Sequence, residues 1–254
     1  MTETGLRARI LRREMLCGTF IKTPAIEIIE VLAHSGLDFI CLDAEHSSID
    51  RARMDHCLAM AKALGLDCLV RVPEGTPAQI LMALDAGATG VVIPHVYSAE
   101  KAADVAKASR YGHGGRGYAG STRSAGYATN PMPHVLAMTE DTVVLGQIEE
   151  PEGVEAVDAI AATPGIDGLF VGPADLAVSY GETDMNAPIV IDAMRKVGDA
   201  TKAHGKSAVT FTPNMGNFDT LHGAGMNMLF FASEHAWMLS GARALVAEFK
   251  EATT

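Results

Sequence analysis

The sequence is short of positive charge. Lys and Arg number 20 against 31 Asp and Glu, giving a formal net charge of −11. Such a chain is not expected to bind nucleic acid, because neutralising phosphates needs a basic excess. A local cationic pocket remains compatible with this balance. Cysteine is sparse: Cys17, Cys41, Cys57 and Cys68 form no C-x-x-C pair, and no His-x-x-x-His occurs, so no closed zinc site is expected. Cys17, Cys41 and Cys68 lie in or beside apolar runs, where reduced thiols pack as small hydrophobes. No apolar stretch approaches the ~20 residues of a membrane span. Met1 to Met15 is rich in Arg and Glu and does not read as a secretory signal. These absences make a reducing cytoplasm the expected compartment, with no membrane partner.

What is present is a rhythm. Hydrophobic residues make up 48% of the 254, enough for a sizeable core and too many for disorder. Eight short apolar runs read as strands: Cys17–Ile21, Phe39–Asp43, Cys68–Val72, Gly90–Pro94, Val143–Ile148, Gly168–Val171, Ser207–Thr212 and Met228–Phe231. Most do not alternate, as expected of parallel strands covered on both faces. Helical patterns run between them, for example after Pro24, over Arg51–Leu64, after Thr76-Pro77 and over Val190–His204. Glycines 36, 65, 87 and 205 stand where helices should end. Eight β–α units over residues 1–254 predict a single-domain α/β fold, a (β/α)8 TIM barrel. An open doubly wound sheet would carry a Gly-rich phosphate turn after its first strand, and Thr19-Phe-Ile-Lys-Thr-Pro24 has none. One segment, 111–130, is long and rich in Gly, Ser, Thr, Tyr and Arg. It reads as a lid over the strand ends or as a plain surface loop.

Polar groups stand where four of the apolar runs end: Glu45 and His46, Arg71, Glu149, and Asp175. In a parallel barrel these ends share the face on which active sites are built. A carboxylate at the end of a buried strand must be paired, hydrogen-bonded or metal-bound. Glu149 and Asp175 therefore read either as structural ion-pair partners or as ligands of a hard divalent ion such as Mg²⁺ or Mn²⁺. His46 has the chemistry of a general base near neutral pH, although most of the nine histidines must be incidental; His95, after Ile93-Pro94, stands at another strand end. Arg71 in a buried strand needs an anion, either a structural carboxylate or a substrate enolate.

Taken together, Leu37-Asp-Phe-Ile-Cys-Leu-Asp-Ala-Glu-His46, Val70-Arg-Val-Pro73, Leu84-Asp-Ala-Gly-Ala-Thr-Gly-Val-Val-Ile-Pro94, Arg116-Gly, Gln147-Ile-Glu149 and Phe170-Val-Gly-Pro-Ala-Asp-Leu176 resemble the HpcH/HpaI aldolase family. These are metal-dependent pyruvate aldolases that include 4-hydroxy-2-oxoheptanedioate and 2-keto-3-deoxy-L-rhamnonate aldolases. The resemblance implies that Glu149 and Asp175 ligate a divalent ion (Mg²⁺, Mn²⁺ or Co²⁺), which holds the 2-oxo acid. It implies that Gln147 positions water or substrate and that backbone near Gly172 and Ala174 holds the pyruvate carboxylate. Arg71 would stabilise the enolate, and His46 would move the proton with help from Asp85 of a neighbouring subunit. The implied reaction is reversible cleavage of a 4-hydroxy-2-oxo acid to pyruvate and an aldehyde, in a homo-oligomer, by resemblance a hexamer. Its rivals are a citramalyl- or malyl-CoA-type lyase, disfavoured by the lack of an Arg/Lys cluster for CoA phosphates, and a non-catalytic carboxylate-binding barrel. Lys22, at the end of the first strand, could form a Schiff base by position alone. The family chemistry requires none, so Lys22 is expected to meet an acid group instead. The apolar last helix, Trp237 to Phe249, is expected to cover its own barrel or a neighbour's.

Overall fold

The computed structural model describes residues 5–253; the start of the Met1–Met15 stretch falls outside them. Eight parallel strands close into a barrel in chain order. They are β1 (Leu16–Ile21), β2 (Phe39–Asp43), β3 (Cys68–Arg71), β4 (Gly90–Ile93), β5 (Val143–Ile148), β6 (Gly168–Val171), β7 (Ser207–Thr212) and β8 (Met228–Ser233). Before the barrel comes α1 (Leu6–Leu11). Around it run α2 (Ile26–Ala33), α3 (Arg51–Leu64), α4 (Pro77–Asp85), α5 (Ala99–Ala108), α6 (Met132–Met138), α7 (Pro151–Glu155), α8 (Val157–Ala162), α9 (Pro173–Ser179), α10 (Pro188–Ala203), α11 (Phe218–Gly223) and α12 (Glu234–Ala252). The strands match the sequence expectation to within two residues. The helix ends follow their local chemistry. Asp50 and Thr76 cap α3 and α4 by accepting from Arg53 N and Gln79 N, and Gly36, Gly65, Gly87 and Gly205 all have positive φ.

The strand period of two sorts the side chains. One set points out to the helices. The other points in: Leu16 and Phe20 on β1, Phe39 and Cys41 on β2, Leu69 on β3, Val92 on β4, Leu145 on β5, Phe170 on β6 and Phe230 on β8 form one interior cluster. Phe20, Phe39, Phe170 and Phe230 meet at ring separations of 4.8–6.0 Å, each burial contributing about 1.5–3 kcal/mol. The interior is tight enough that Gly18 is required: a Cβ there would lie 2.3 Å from the Phe39 ring.

Two features depart from the sequence expectation. The N-terminal stretch, with no apolar run, forms α1, whose fully buried Leu6 and Ile10 plug the barrel floor. Ser207 Oγ donates to the Ile10 carbonyl at 2.6 Å, and Arg7 Nε donates to buried Asp167 at 2.9 Å. Two apolar residues one turn apart carry too weak a pattern to read from sequence. Cys17 is exposed, while Cys41, Cys57 and Cys68 are buried. Cys17 takes an outward position on β1, next to β8, where the following helix α12 does not pack back. Of α12 only Glu234 is buried.

Candidate active site

The inward rows end in polar residues. Continuing each by two positions converts Phe20 into Lys22, Cys41 into Asp43, Leu69 into Arg71, Leu145 into Gln147 and then Glu149, and Phe170 into Gly172. The barrel's own register thus delivers these groups to its C-terminal mouth, where Lys22, Arg71, Gln147 and Gly172 border a cavity of about 340 Å³ with His46, Ala174 and Asp175, while Asp43 and Glu149 contact its walls through Arg71 and Gln147.

On one side, β2 and β3 pair Asp43 with Arg71. Arg71 donates from Nε to Asp43 Oδ1 at 3.0 Å and from Nη2 to Oδ2 at 2.7 Å. Its guanidinium also lies 4.5 Å over the Phe20 ring and 3.3 Å from Glu45 Oε2. Asp43 is wholly buried and further accepts from the His46 amide at 3.1 Å, with Lys22 Nζ 3.0 Å away. Burial pushes the Asp43 carboxyl up, but the Arg71 fork, the His46 amide and Lys22 outweigh it and hold Asp43 below its ordinary range. Glu45 is raised, chiefly by burial, with Arg71 and His46 opposing. The His46 ring is exposed, with Nε2 3.7 Å from Glu45.

On the other side, Glu149 is 3% exposed. It accepts from Gln147 Nε2 and from the His95 amide, the latter at 2.6 Å. A Cβ on Gly172 would lie 3.1 Å from Gln147 Nε2, 3.3 Å from Glu149 Cβ and 3.4 Å from Asp175 Oδ2. All three side chains therefore converge on the bare face of Gly172. Burial pushes the Glu149 carboxyl up to about 7, with the nearby charges of Asp175 and Glu45 adding to it and His95 opposing. Gln147 Oε1 is buried without a hydrogen-bond partner. Two crowded carboxylates beside an unsatisfied amide oxygen are an oxygen donor set that suits a hard divalent cation.

The structure brings together His46, Arg71, Gln147, Glu149, Gly172, Ala174 and Asp175. It does not bring Asp85 to them within one chain. Asp85 ends α4, on the opposite face of the barrel, where Oδ1 pairs with Arg116. The 111–130 segment lies there too. It follows α5 and precedes β5, and such helix-to-strand connections run at the N-terminal face. Arg116 reaches Asp85, Arg123 reaches Asp55 on α3 at 2.7 Å, and Ser124 N donates to the Asp85 carbonyl. It is no lid over its own strand ends.

Four refinements follow. The Nε/Nη2 edge of Arg71 is spent on Asp43, so a substrate oxygen meets only its remaining N–H groups. The Gly172 amide donates to the Ile148 carbonyl at 3.0 Å, which leaves first-turn amides of α9 such as Ala174 N–H free of helical acceptors. Asp43 went unassigned from sequence; the available signal was a carboxylate at the end of a buried run, while a buried-strand arginine needs an anion. His95 also reaches the site: its Nδ1 lies 3.0 Å from Glu149 and 2.6 Å from Glu150. Burial alone would lower the His95 pKa, but these two carboxylates raise it. His95, Glu149 and Glu150 are close enough to share an ion.

Residues 16–241 match the family model HpcH/HpaI aldolase/citrate lyase. The chain belongs to this family. A hydroxypyruvate/pyruvate aldolase of Paraburkholderia phytofirmans is 32% identical over 96% of this chain and 97% of its own. A 5-keto-4-deoxy-D-glucarate aldolase of Enterobacter sp. is 34% identical over 82% of this chain and 81% of its own. The crystal structure of an HpcH/HpaI aldolase/citrate lyase family protein from Burkholderia cenocepacia superposes with a TM-score of 0.91, at 32% identity, over 96% of this chain and 98% of that one. The present HpcH/HpaI member is an aldolase, a carbon–carbon lyase, on a single closed (β/α)8 barrel. No helix among the described residues is long and apolar enough to cross a membrane.

Proposed function

We propose that this chain is a divalent-metal-dependent pyruvate aldolase that cleaves 4-hydroxy-2-oxo acids reversibly to pyruvate and an aldehyde. The observation that carries the reading is the convergence of Glu149, Asp175 and Gln147 on Gly172, facing Arg71 and His46 in one cavity. Glu149 and Asp175 would hold Mg²⁺, Mn²⁺ or Co²⁺. When bound, the cation supplies Lewis-acid polarisation of the 2-oxo group.

The chain's own residues do the rest. Ala174 N–H, at the start of α9, donates to the substrate carboxylate. His46 takes the C4 hydroxyl proton, the C3–C4 bond breaks, and the aldehyde leaves. The electron pair passes into the C2–C3 enolate, whose oxygen Arg71 stabilises through the N–H groups that Asp43 leaves free. Protonation at C3 gives pyruvate. Asp43 fixes both partners, holding the Arg71 fork and the His46 amide.

A CoA-thioester lyase is disfavoured by the same cavity. Lys22 and Arg71 are the Lys and Arg side chains that border it, and both are engaged by Asp43.

Assembly completes the reading. Leu245 and Phe249 on α12 are each 67% exposed, an apolar face that its own barrel leaves uncovered. A second copy can take it, as exchanged elements do in symmetric oligomers, and a hexamer is the expected state. Asp85 would then serve a neighbour's His46. Three buried free thiols fit a reducing compartment, the cytoplasm. Light scattering at micromolar concentration tests the assembly, and a monomer mass refutes it. Pyruvate release from racemic 4-hydroxy-2-oxo acids, with EDTA or with added metal, tests the reaction.

A further inference from the structure

Beside Glu149, off the substrate cavity, stand two metal-ligating side chains that the chemistry above does not use. His95 follows β4 and Glu149 follows β5, and these strands pair, so the two residues leave the barrel as neighbours. Neither His95 nor Glu150 is among the residues that border the cavity. Glu149 divides its two oxygens between the two sides. Oε2 accepts from Gln147 Nε2, and Oε1 accepts from the His95 amide at 2.6 Å. The imidazole stands on the Oε1 side, with Nδ1 3.0 Å from Glu149 Oε1 and 2.6 Å from Glu150 Oε1. One donor atom from each of the three residues lies within 4.8 Å of the others.

Two further observations mark this cluster as more than an ion pair. His95 holds a φ of 55°, a left-handed conformation that a histidine seldom adopts and that the surrounding structure must sustain. In that conformation the amide and the ring of one residue both meet Glu149 Oε1. Glu150 Oε2, moreover, is buried without a hydrogen-bond partner, a costly state for a carboxylate oxygen that a bound cation would relieve. The way in is open: the His95 side chain is 58% exposed, so an ion reaches Nδ1 from water without passing the substrate. The donor chemistry also differs from that of the first site. Glu149, Asp175 and Gln147 offer oxygen alone, which suits Mg²⁺ or Mn²⁺. An imidazole nitrogen among carboxylates moves the preference toward Zn²⁺ and Co²⁺.

We propose that His95, Glu150 and the Oε1 side of Glu149 form a second cation site, selective for a borderline ion such as Zn²⁺ or Co²⁺ over Mg²⁺. Glu149 is then a carboxylate shared between two ions. The sharing rests on the assignment of the first ion to Glu149 and Asp175; the second site does not.

Equilibrium dialysis of the metal-stripped full chain against Zn²⁺ and against Mg²⁺, with metal analysis, counts the sites. The wild type should hold two equivalents of Zn²⁺ but one of Mg²⁺. Two single variants remove the second site in different ways: His95→Asn, because asparagine tolerates the left-handed backbone, and Glu150→Gln. Each should hold one equivalent of Zn²⁺. The other should be weakened by more than about 100-fold, since losing a ligand exceeds the cost of losing an outer contact. Asp175→Ala should also hold one equivalent, and Glu149→Gln should lose both. Proton magnetic resonance of the Co²⁺ form identifies the ion that remains in Asp175→Ala: a hyperfine-shifted, exchangeable imidazole proton should be present there and absent from His95→Asn. A single equivalent of Zn²⁺ in the wild type would overturn the proposal. So would a second equivalent that survives both His95→Asn and Glu150→Gln, or two equivalents of Mg²⁺ in the wild type. If Asp175→Ala keeps both equivalents of Zn²⁺ while His95→Asn loses one, the second site stands and the assignment of the first ion to Asp175 fails instead.

Discussion

Arg71 closes its guanidinium fork on Asp43, at 3.0 Å and 2.7 Å, with both side chains buried. In the proposed mechanism the pair couples catalysis to stability. Arg71→Lys should keep the charge but not the planar fork, so aldol cleavage should fall by about 10²-fold or more, the usual cost of an oxyanion donor. Deuterium exchange at the pyruvate methyl needs the enolate but no aldehyde, and it should fall in parallel. Arg71→Ala leaves buried Asp43 with only Lys22 and the His46 amide and should cost up to about 3–5 kcal/mol in urea unfolding, the scale for breaking a buried ion pair. Normal exchange in Arg71→Lys would remove Arg71 from the enolate.

His46→Ala should lower cleavage by about 10²–10⁴-fold. If His46 and Arg71 act on one transition state, as proposed, the double variant should lose less than the product of the single losses. Steady-state rates on the two single variants and the double variant decide it; near-normal cleavage in His46→Ala would assign the proton to another group.

The barrel was legible because β2, β4, β5 and β6 are largely apolar runs with clear turn residues between them. Glu149 was legible as a carboxylate at a strand end, where burial forces a partner; Asp175 was legible from its place just beyond β6, and it stands exposed in the first turn of α9. The 111–130 segment misled, because its composition says loop but not which face. Only its place between a helix and the next strand puts it on the floor side. The Asp43–Arg71 pairing needed the register of β2 against β3, which no single run contains. The fate of α12 was open because an apolar helix reads the same whether it covers its own barrel or another copy's.

The proposed cation site pairs Glu149 with Asp175, while His95 and Glu150 stand close enough to Glu149 to offer a second one. Asp175→Ala should abolish high-affinity Mn²⁺ binding by electron paramagnetic resonance titration, whereas His95→Ala should weaken it by less than about tenfold, since outer contacts of a ligand cost less than the ligand itself. The reverse order would move the metal to the His95 side.

The Glu149 carboxyl, raised to about 7, gives the metal-free protein a pH signature. A folded-state pKa above the unfolded one contributes stability that is full at low pH and lost as pH rises through the folded value. The metal-free melting temperature should therefore drop between about pH 5 and 8, and Mn²⁺ should restore it at the upper end. Asp43, held below its ordinary range, acts oppositely: its contribution is present above the unfolded value and lost as pH falls through the folded one. A flat metal-free profile from pH 5 to 8, by differential scanning calorimetry, would show that Glu149 is not strained by its burial beside Asp175.

Leu245→Asp together with Phe249→Asp places charge on the exposed face of α12 without touching the barrel. Light scattering should show a smaller assembly with an unchanged far-ultraviolet dichroism spectrum. Activity should fall with it if a neighbour's Asp85 serves His46. An unaltered mass would mean that this face is not the contact.

The most direct test of the central claim is pyruvate release from racemic 4-hydroxy-2-oxo acids by the wild type and Asp175→Ala, each with EDTA and with saturating Mn²⁺. The wild type should release pyruvate with Mn²⁺ and not with EDTA, and Asp175→Ala should release none in either. Full release by an EDTA-stripped wild type, or by Asp175→Ala, would contradict the account.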